Sequence, residues 1–309
     1  MKTAKRILTV ALALMLIFAL AAPSFALQTT GYVPAENIVA KYTQLADSNY
    51  EMDGTFTVYL SIYSGIYDGV GPIDRTVAVT MGSTGATDAK YTVYDVLNAA
   101  ESQYTFLDFD TTTPNAYHQS WLQGVKDTTV SSSTVFSALP LKYNNGSTCY
   151  CGWMFRINGM LPYKYGSTNT ACLITDAYVT ANDVVDLYYS NVYIQSIATK
   201  VRYVAYLGTD SGVSTFQVLQ SECYMGLNDT EWTVGNWTKV ANNNYVKIKI
   251  DGTVQTVATD ADGKFTLSGL SGTHTFQFNT TTRSFKLAYD NTITYKVCNT
   301  AGMYSTYTI

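Results

Sequence analysis

Histidine is almost absent from this chain, which holds only His118 and His274. A general base that titrates near neutrality is therefore in short supply, and neither imidazole sits beside a nucleophile signature such as Gly-x-Ser-x-Gly. Charge is scarce as well: Asp, Glu, Lys and Arg make up 14% of the residues. No run of Lys or Arg occurs, which excludes the electrostatic footprint of a nucleic-acid or anionic-lipid binder. No glycine-rich loop precedes a helical pattern, so no phosphate cradle is read. No internal repeat is present, and Leu161-Pro162-Tyr163 is internal and no sortase signal. Metal binding is disfavoured, because neither histidine lies at ligand spacing from a cysteine. Two carboxylate pairs remain. Asp108 and Asp110 have the spacing of solvent-facing strand residues, and the second pair, Asp183 with Asp186, lies at a strand entry, where Asp183 would cap the turn. No catalytic residue, metal ligand or firm cofactor is expected, and the chain is read as a non-enzyme.

What is plentiful is tyrosine, 26 residues, with a hydrophobic fraction of 47%. Tyr and Thr suit half-buried strand surfaces, so the composition points to a mainly β extracellular protein. At the N-terminus Lys2, Lys5 and Arg6 precede an apolar run over 7–22, then Pro23 and Ser24-Phe25-Ala26. This pattern reads as a secretory signal over 1–26, cut after Ala26; the run is too short for a good membrane span. No later stretch has membrane length. The mature chain is expected to be secreted, and associated with a cell surface or released. Its cationic count falls by three from 19, leaving 16 against 23 acidic residues, so the surface is acidic.

Five cysteines stand at 149, 151, 172, 223 and 298, in a compartment that permits disulfides. One bridge is expected from Cys149 or Cys151 to Cys172 (Cys151 preferred) and a second from Cys223 to Cys298. One thiol is then left over.

The order of elements follows from periodicity. Residues 27–53 form a lead-in whose 35–45 stretch reads as a short helix with Ile38, Val39 and Tyr42 on one side. In 54–64, Phe56, Val58, Leu60 and Ile62 alternate with Thr57, Tyr59, Ser61 and Tyr63, predicting a strand with an exposed Tyr face. A second strand covers 76–81. Thr92-Val93-Tyr94-Asp95 is a capping box, and Val93, Val96, Leu97 and Ala100 follow at helical spacing. Residues 110–143 read as a long loop anchored by Trp121. The stretch 149–190 contains an alternating strand with Trp153, Phe155 and Ile157 on one face, a hairpin turn at Asn158-Gly159, and a partly central strand at 184–189. Beyond 191, strands at 201–207, 215–219 and 245–250 precede another tight turn at Asp251-Gly252. Asp260 and Asp262 lack the later acidic ligands of a calcium loop, so Asp260 is read as capping its own turn.

A Gly-Trp-hydrophobic strand, an Asn-Gly turn and a later Asp183, Val185, Tyr188 strand, supported upstream by 92–97, resemble a bacterial surface-domain family related to the C-terminal domain of transcobalamin and intrinsic factor. The stretch 259–270 resembles small secreted prealbumin-like and carboxypeptidase-regulatory β modules. The resemblance implies a β-grasp-like domain with one helix over 54–191, then an Ig-like or prealbumin-like antiparallel β-sandwich over 192–309. It further implies a small-molecule ligand, a corrinoid being the example, held against Trp153, Tyr163, Trp121 and Tyr188. The alternative expectation is a structural or adhesive protein that touches surface proteins or glycans.

Overall fold

The computed structural model describes residues 35–64, 73–111, 122–132, 134–136, 139–142, 148–191, 199–225, 232–279, 281–286 and 294–309. Residues 1–26, where a signal is expected, the first part of the lead-in, His118 and Trp121 lie outside the described residues, as do the side chains of Cys149, Cys151, Cys223 and Cys298.

The first module contains β1 (Lys41–Thr43), β2 (Thr55–Tyr63), β3 (Asp74–Gly82), α1 (Val93–Gln103), β4 (Leu107–Asp110), β5 (Gly124–Asp127), β6 (Leu139–Lys142), β7 (Thr148–Ile157), β8 (Leu161–Tyr163) and β9 (Val184–Asn191). Its main sheet has the order β3-β2-β9-β7-β6. The central pair β2 and β9 is parallel, and the other pairs are antiparallel. α1 starts where the capping box requires: Thr92 N donates to Asp95 Oδ2 at 2.8 Å, and Asp95 N donates to Thr92 Oγ1. Val93, Val96, Leu97 and Ala100 are fully buried against Phe56, Val58, Leu60 and Ile62. A mainly β fold with one helix on a sheet is therefore what the chain adopts.

β3 is an edge strand, and such edges recruit other strands unless they are covered. Here side chains satisfy it. Thr80 exchanges two hydrogen bonds with the Gln103 carboxamide (2.9 and 2.8 Å), and Tyr104 donates to Ala78 O at 2.6 Å. Gln103→Ala is expected to cost about 1 kcal/mol and to increase self-association, read by chemical denaturation and analytical ultracentrifugation; unchanged sedimentation would show that the edge needs no such cover.

The second module contains β10 (Thr199–Asp210), β11 (Val213–Met225), β12 (Val246–Ile250), β13 (Thr253–Val257), β14 (Lys264–Ser268), β15 (Thr273–Phe278), β16 (Thr281–Lys286), β17 (Thr294–Gly302) and β18 (Tyr304–Thr308). One sheet runs β11-β10-β17-β16, with β14 on the free side of β11; the other runs β13-β12-β15-β18. Val204, Phe216 and Val218 of the first meet Val246, Ile248, Phe276 and Tyr307 of the second, which makes a sandwich core. The expectation of an antiparallel sandwich is corrected in one place, since β10 and β17 pair in parallel from Lys200↔Thr300 to Arg202↔Gly302. The chain then leaves one sheet for the other at Gly302, where an added Cβ would lie 1.8 Å from Phe278 O. Only glycine permits that crossing.

Two sequence expectations change because the modules are fused through a shared core. Tyr63, Met154 and Tyr188 from the first sheet pack with Leu161, Tyr203, Trp237 and Met303. Ser61 and Tyr63, expected on an exposed face, are 0% accessible, because the second module covers that side of the sheet. The 35–45 stretch is likewise no helix. Lys41–Thr43 forms a strand parallel to β8, and Val39 bridges Asn236, so the segment threads between both modules. Backbone pairing with an open strand outweighs a weak helical pattern that contains Ile38, Val39 and Thr43.

Candidate functional site

The Asn158-Gly159 turn forms as expected. Asn158 and Gly159 have φ of 53° and 76°, and Ile157 and Met160 exchange backbone hydrogen bonds at 2.9 and 3.0 Å. Asn158 also donates to Asp183 Oδ1 at 2.7 Å and accepts from Val184 N at 2.9 Å, so the turn clamps the entry to β9. Asp183 caps that entry by accepting from Thr180 N at 2.6 Å. Its burial wins over these hydrogen bonds and lifts its carboxyl to about 6. The turn at Asp251-Gly252 is also present (φ 50° and 78°), and Asp260 Oδ1 accepts from both Asp262 N and Lys264 N at 2.8 Å, the self-capping read from the sequence.

The residues expected to face a ligand are placed inside. Trp153 is 5% exposed, Tyr163 4% and Tyr188 0%, while Trp121 is outside the described residues. Trp153 faces the helix-side core, edge-on to Tyr189 at 5.5 Å between ring centroids, whereas Tyr163 and Tyr188 belong to the inter-module core. They lie in two different cores and form no common surface. Beside Trp153 an apolar cavity of about 40 Å³ is lined by Leu122, Phe155, Leu161, Cys172 and Ile174 among others. That volume suits a water molecule or two and not a macrocycle.

The cysteine expectation is corrected at Cys172, which is a free, buried thiol that accepts from Gln44 Nε2 at 3.1 Å. Burial pushes this thiol up to about 12. Cys223 and Cys298 are carried by β11 and β17, the two neighbours of β10; their side chains lie outside the described residues.

His274 offers no base. Its Nδ1 faces Asp251 Oδ2 at 2.7 Å and its Nε2 faces Ser271 O at 3.1 Å, so both ring nitrogens are turned to oxygen acceptors. The Asp251 hydrogen bond raises the imidazole pKa. Among the described residues no group of three or more His, Cys, Asp or Glu could hold a metal ion.

The open concavity that sequence reasoning missed lies between the modules. It has a volume of about 390 Å³, with Tyr59, Thr76, Val77 and Ala78 on one wall and Lys249, Gly252, Thr275, Gln277 and Tyr304 on the other. β2 and β3 supply the first wall, while the β12–β13 turn, β15 and β18 supply the second. The Tyr59 and Tyr304 rings lie 5.8 Å apart at 35° and form an aromatic floor. Asp74 bridges the modules: Lys249 Nζ pairs with its Oδ2, and Gln277 Nε2 donates to its Oδ1 at 3.4 Å. Thr275 is oriented by Asp251, whose Oδ1 accepts from Thr275 N at 2.8 Å. The cationic and anionic groups at the cleft are thus paired with one another. The arrangement combines ring faces, hydroxyls, a carboxamide and little net charge, with no activated nucleophile among the described lining residues. None of this was legible in the sequence, because the walls come from strands as far apart as Tyr59 and Tyr304 that only the fused core brings together.

Comparison with protein-family models, with curated proteins and with solved structures finds no match for this chain. Among the described residues no helix is long and apolar enough to cross a membrane.

Proposed function

We propose that this chain is a secreted, non-catalytic binding protein in which two fused β modules present the Tyr59–Tyr304 cleft to a neutral, hydroxylated ligand such as a sugar residue of a surface glycan. The observation that carries the reading is the cleft itself, an aromatic floor rimmed by paired charges and amide and hydroxyl groups. Its volume of about 390 Å³ lies at the lower end of ordinary small-ligand pockets, enough for one or two sugar rings. Aromatic faces accept the apolar side of such a ring while the rim serves its hydroxyls. Export is supported by the signal-like N-terminus, the acidic balance and the wealth of tyrosine. Both the adhesive alternative and the binding reading drawn from the transcobalamin-like resemblance meet here, but a corrinoid loses its support, because the residues proposed to hold it are buried.

The test is a neutral-glycan array followed by calorimetry on the mature protein and on Tyr304→Ala. Binding weakened at least tenfold (about 1.4 kcal/mol) with an unchanged melting curve is expected. Absence of any glycan hit for the wild type, or equal affinity in the variant, would remove the cleft as the ligand seat.

A further inference from the structure

Gln44 and Cys172, 128 residues apart in the chain, meet inside the first module, each 4% exposed. Gln44 Nε2 stands 3.1 Å from Cys172 Sγ and donates also to Asp176 O at 2.8 Å. Gln44 Oε1 accepts from Tyr178 N at 2.7 Å. A thiol is therefore held against a carboxamide whose carbonyl oxygen already rests on a backbone N–H, the kind of donor that stabilises an oxyanion during acyl transfer. Gln44 itself is fixed by its own N–H to Tyr163 O at 2.8 Å, and Cys172 by its N–H to Pro162 O at 2.9 Å. Neither partner is free to move away.

We propose that Cys172 and Gln44 form an internal thioester that fastens the β1 segment to the loop after β8. In this step Sγ attacks Cδ of Gln44, the new S–C bond forms, and charge builds on Oε1 against the Tyr178 N–H. The C–N bond then breaks, the thiol proton passes to Nε2, and ammonia leaves; no oxidant or other reactant is consumed. The nitrogen that has to receive that proton stands 3.1 Å from the sulfur. The geometry also bears on the rate. With the thiol pushed up to about 12, roughly one molecule in 10⁵ carries the thiolate at neutral pH, and holding the two side chains together offsets part of that deficit. A reaction that needs to occur only once in the life of a protein tolerates so low a thiolate fraction. Burial then shields the product from water, so the bond serves as a staple and not as a trap for external amines. It would anchor β1, which has only three paired residues.

The experiment is intact-mass measurement and peptide mapping of the mature wild-type protein beside Cys172→Ala and Gln44→Glu. The expected result is a wild-type mass lower by one ammonia, a linked pair of peptides containing residues 44 and 172, and opening by methylamine after denaturation, with a thiol released at Cys172. If the bond has hydrolysed during purification, the wild type carries Glu at position 44 while Cys172→Ala keeps Gln there, which supports the same conclusion. Unmodified Gln44 together with a Cys172 that alkylates at once on denaturation would overturn it. The outcome is independent of any glycan, so it stands or falls apart from the cleft.

Discussion

Acidifying the protein from about pH 7 to about pH 4.5 is expected to raise its melting temperature, the opposite of ordinary acid destabilisation. Asp183 is 3% exposed, and burial lifts its carboxyl from 3.8 to about 6 despite hydrogen bonds from Thr180 and Asn158. Asp186 is 0% exposed, and burial raises it well above 3.8; its Oδ1 accepts from Tyr63 Oη at 3.2 Å and from Tyr304 N at 3.4 Å, while Oδ2 has no hydrogen-bond partner. A group whose folded pKa lies above its unfolded one contributes stability that is full below the unfolded value and lost as pH rises through the folded value. For Asp183 that window runs from about 4 to about 6. His274 is also raised and acts in the same direction from its ordinary value upward. The opposing groups, Asp127 beside Arg75 and Asp251 beside His274, are lowered and lose their contribution only below the usual carboxylate range. The Asp183 shift corresponds to roughly 3 kcal/mol in full, of which about 2 kcal/mol is gained between pH 7 and pH 4.5, or about 4–8 °C for a chain of this size. Differential scanning calorimetry across this range checks it, and a melting temperature that falls steadily on acidification to pH 4.5 would refute it. Asp186→Asn should fold and flatten part of the profile, because Oδ1 keeps both of its donors and the buried charge is removed.

These two aspartates also show why only part of the molecule was legible from residues alone. Local signals were faithful where the physics is local. The Thr92–Asp95 capping box, the 3.6-residue spacing after it, the Asn158-Gly159 and Asp251-Gly252 turns and the self-capping Asp260 depend on near neighbours, and all are present. Ser211-Gly212, with φ of 50° and 75°, carries a similar turn between β10 and β11 and could have been found by the same rule. Alternation, by contrast, identifies one buried face and is silent about the other. Phe56, Val58, Leu60 and Ile62 mark the helix side of β2, but Ser61 and Tyr63 are buried by a module encoded more than a hundred residues later. Tyrosine makes the error easy, since its ring suits a core and its hydroxyl suits water. The same long-range packing hides the cleft and turns Tyr163 and Tyr188 from apparent ligand contacts into core residues, while Trp153 is buried in the helix-side core of its own module.

Gly159→Val is expected to destabilise the protein by about 2–5 kcal/mol, the sum of a backbone penalty and an overpacking penalty. Gly159 has φ of 76°, a conformation that β-branched residues adopt only as outliers. An added Cβ would already stand 3.4 Å from Tyr203 Cδ2 and 3.5 Å from Trp237 Cζ2, so the two further methyls of valine have no space. The hairpin tip is pressed into the second module, where Trp237 is 0% exposed. Arg156, also fully buried, donates from Nη1 to Gly159 O at 3.0 Å and lies over the Trp237 ring at 5.6 Å. Displacing the turn therefore disturbs a place where a buried cation is held between the modules. Gly159→Ala separates the two causes: it keeps most of the backbone penalty and, with Cβ at ordinary contact distance, adds little overpacking. The expected order of melting temperatures is wild type, then alanine, then valine, with a single transition in each, because the modules share a core. A valine variant as stable as the wild type would show that the turn does not dock on Tyr203 and Trp237. Two separated transitions in the wild type would show that the shared core does not couple the modules.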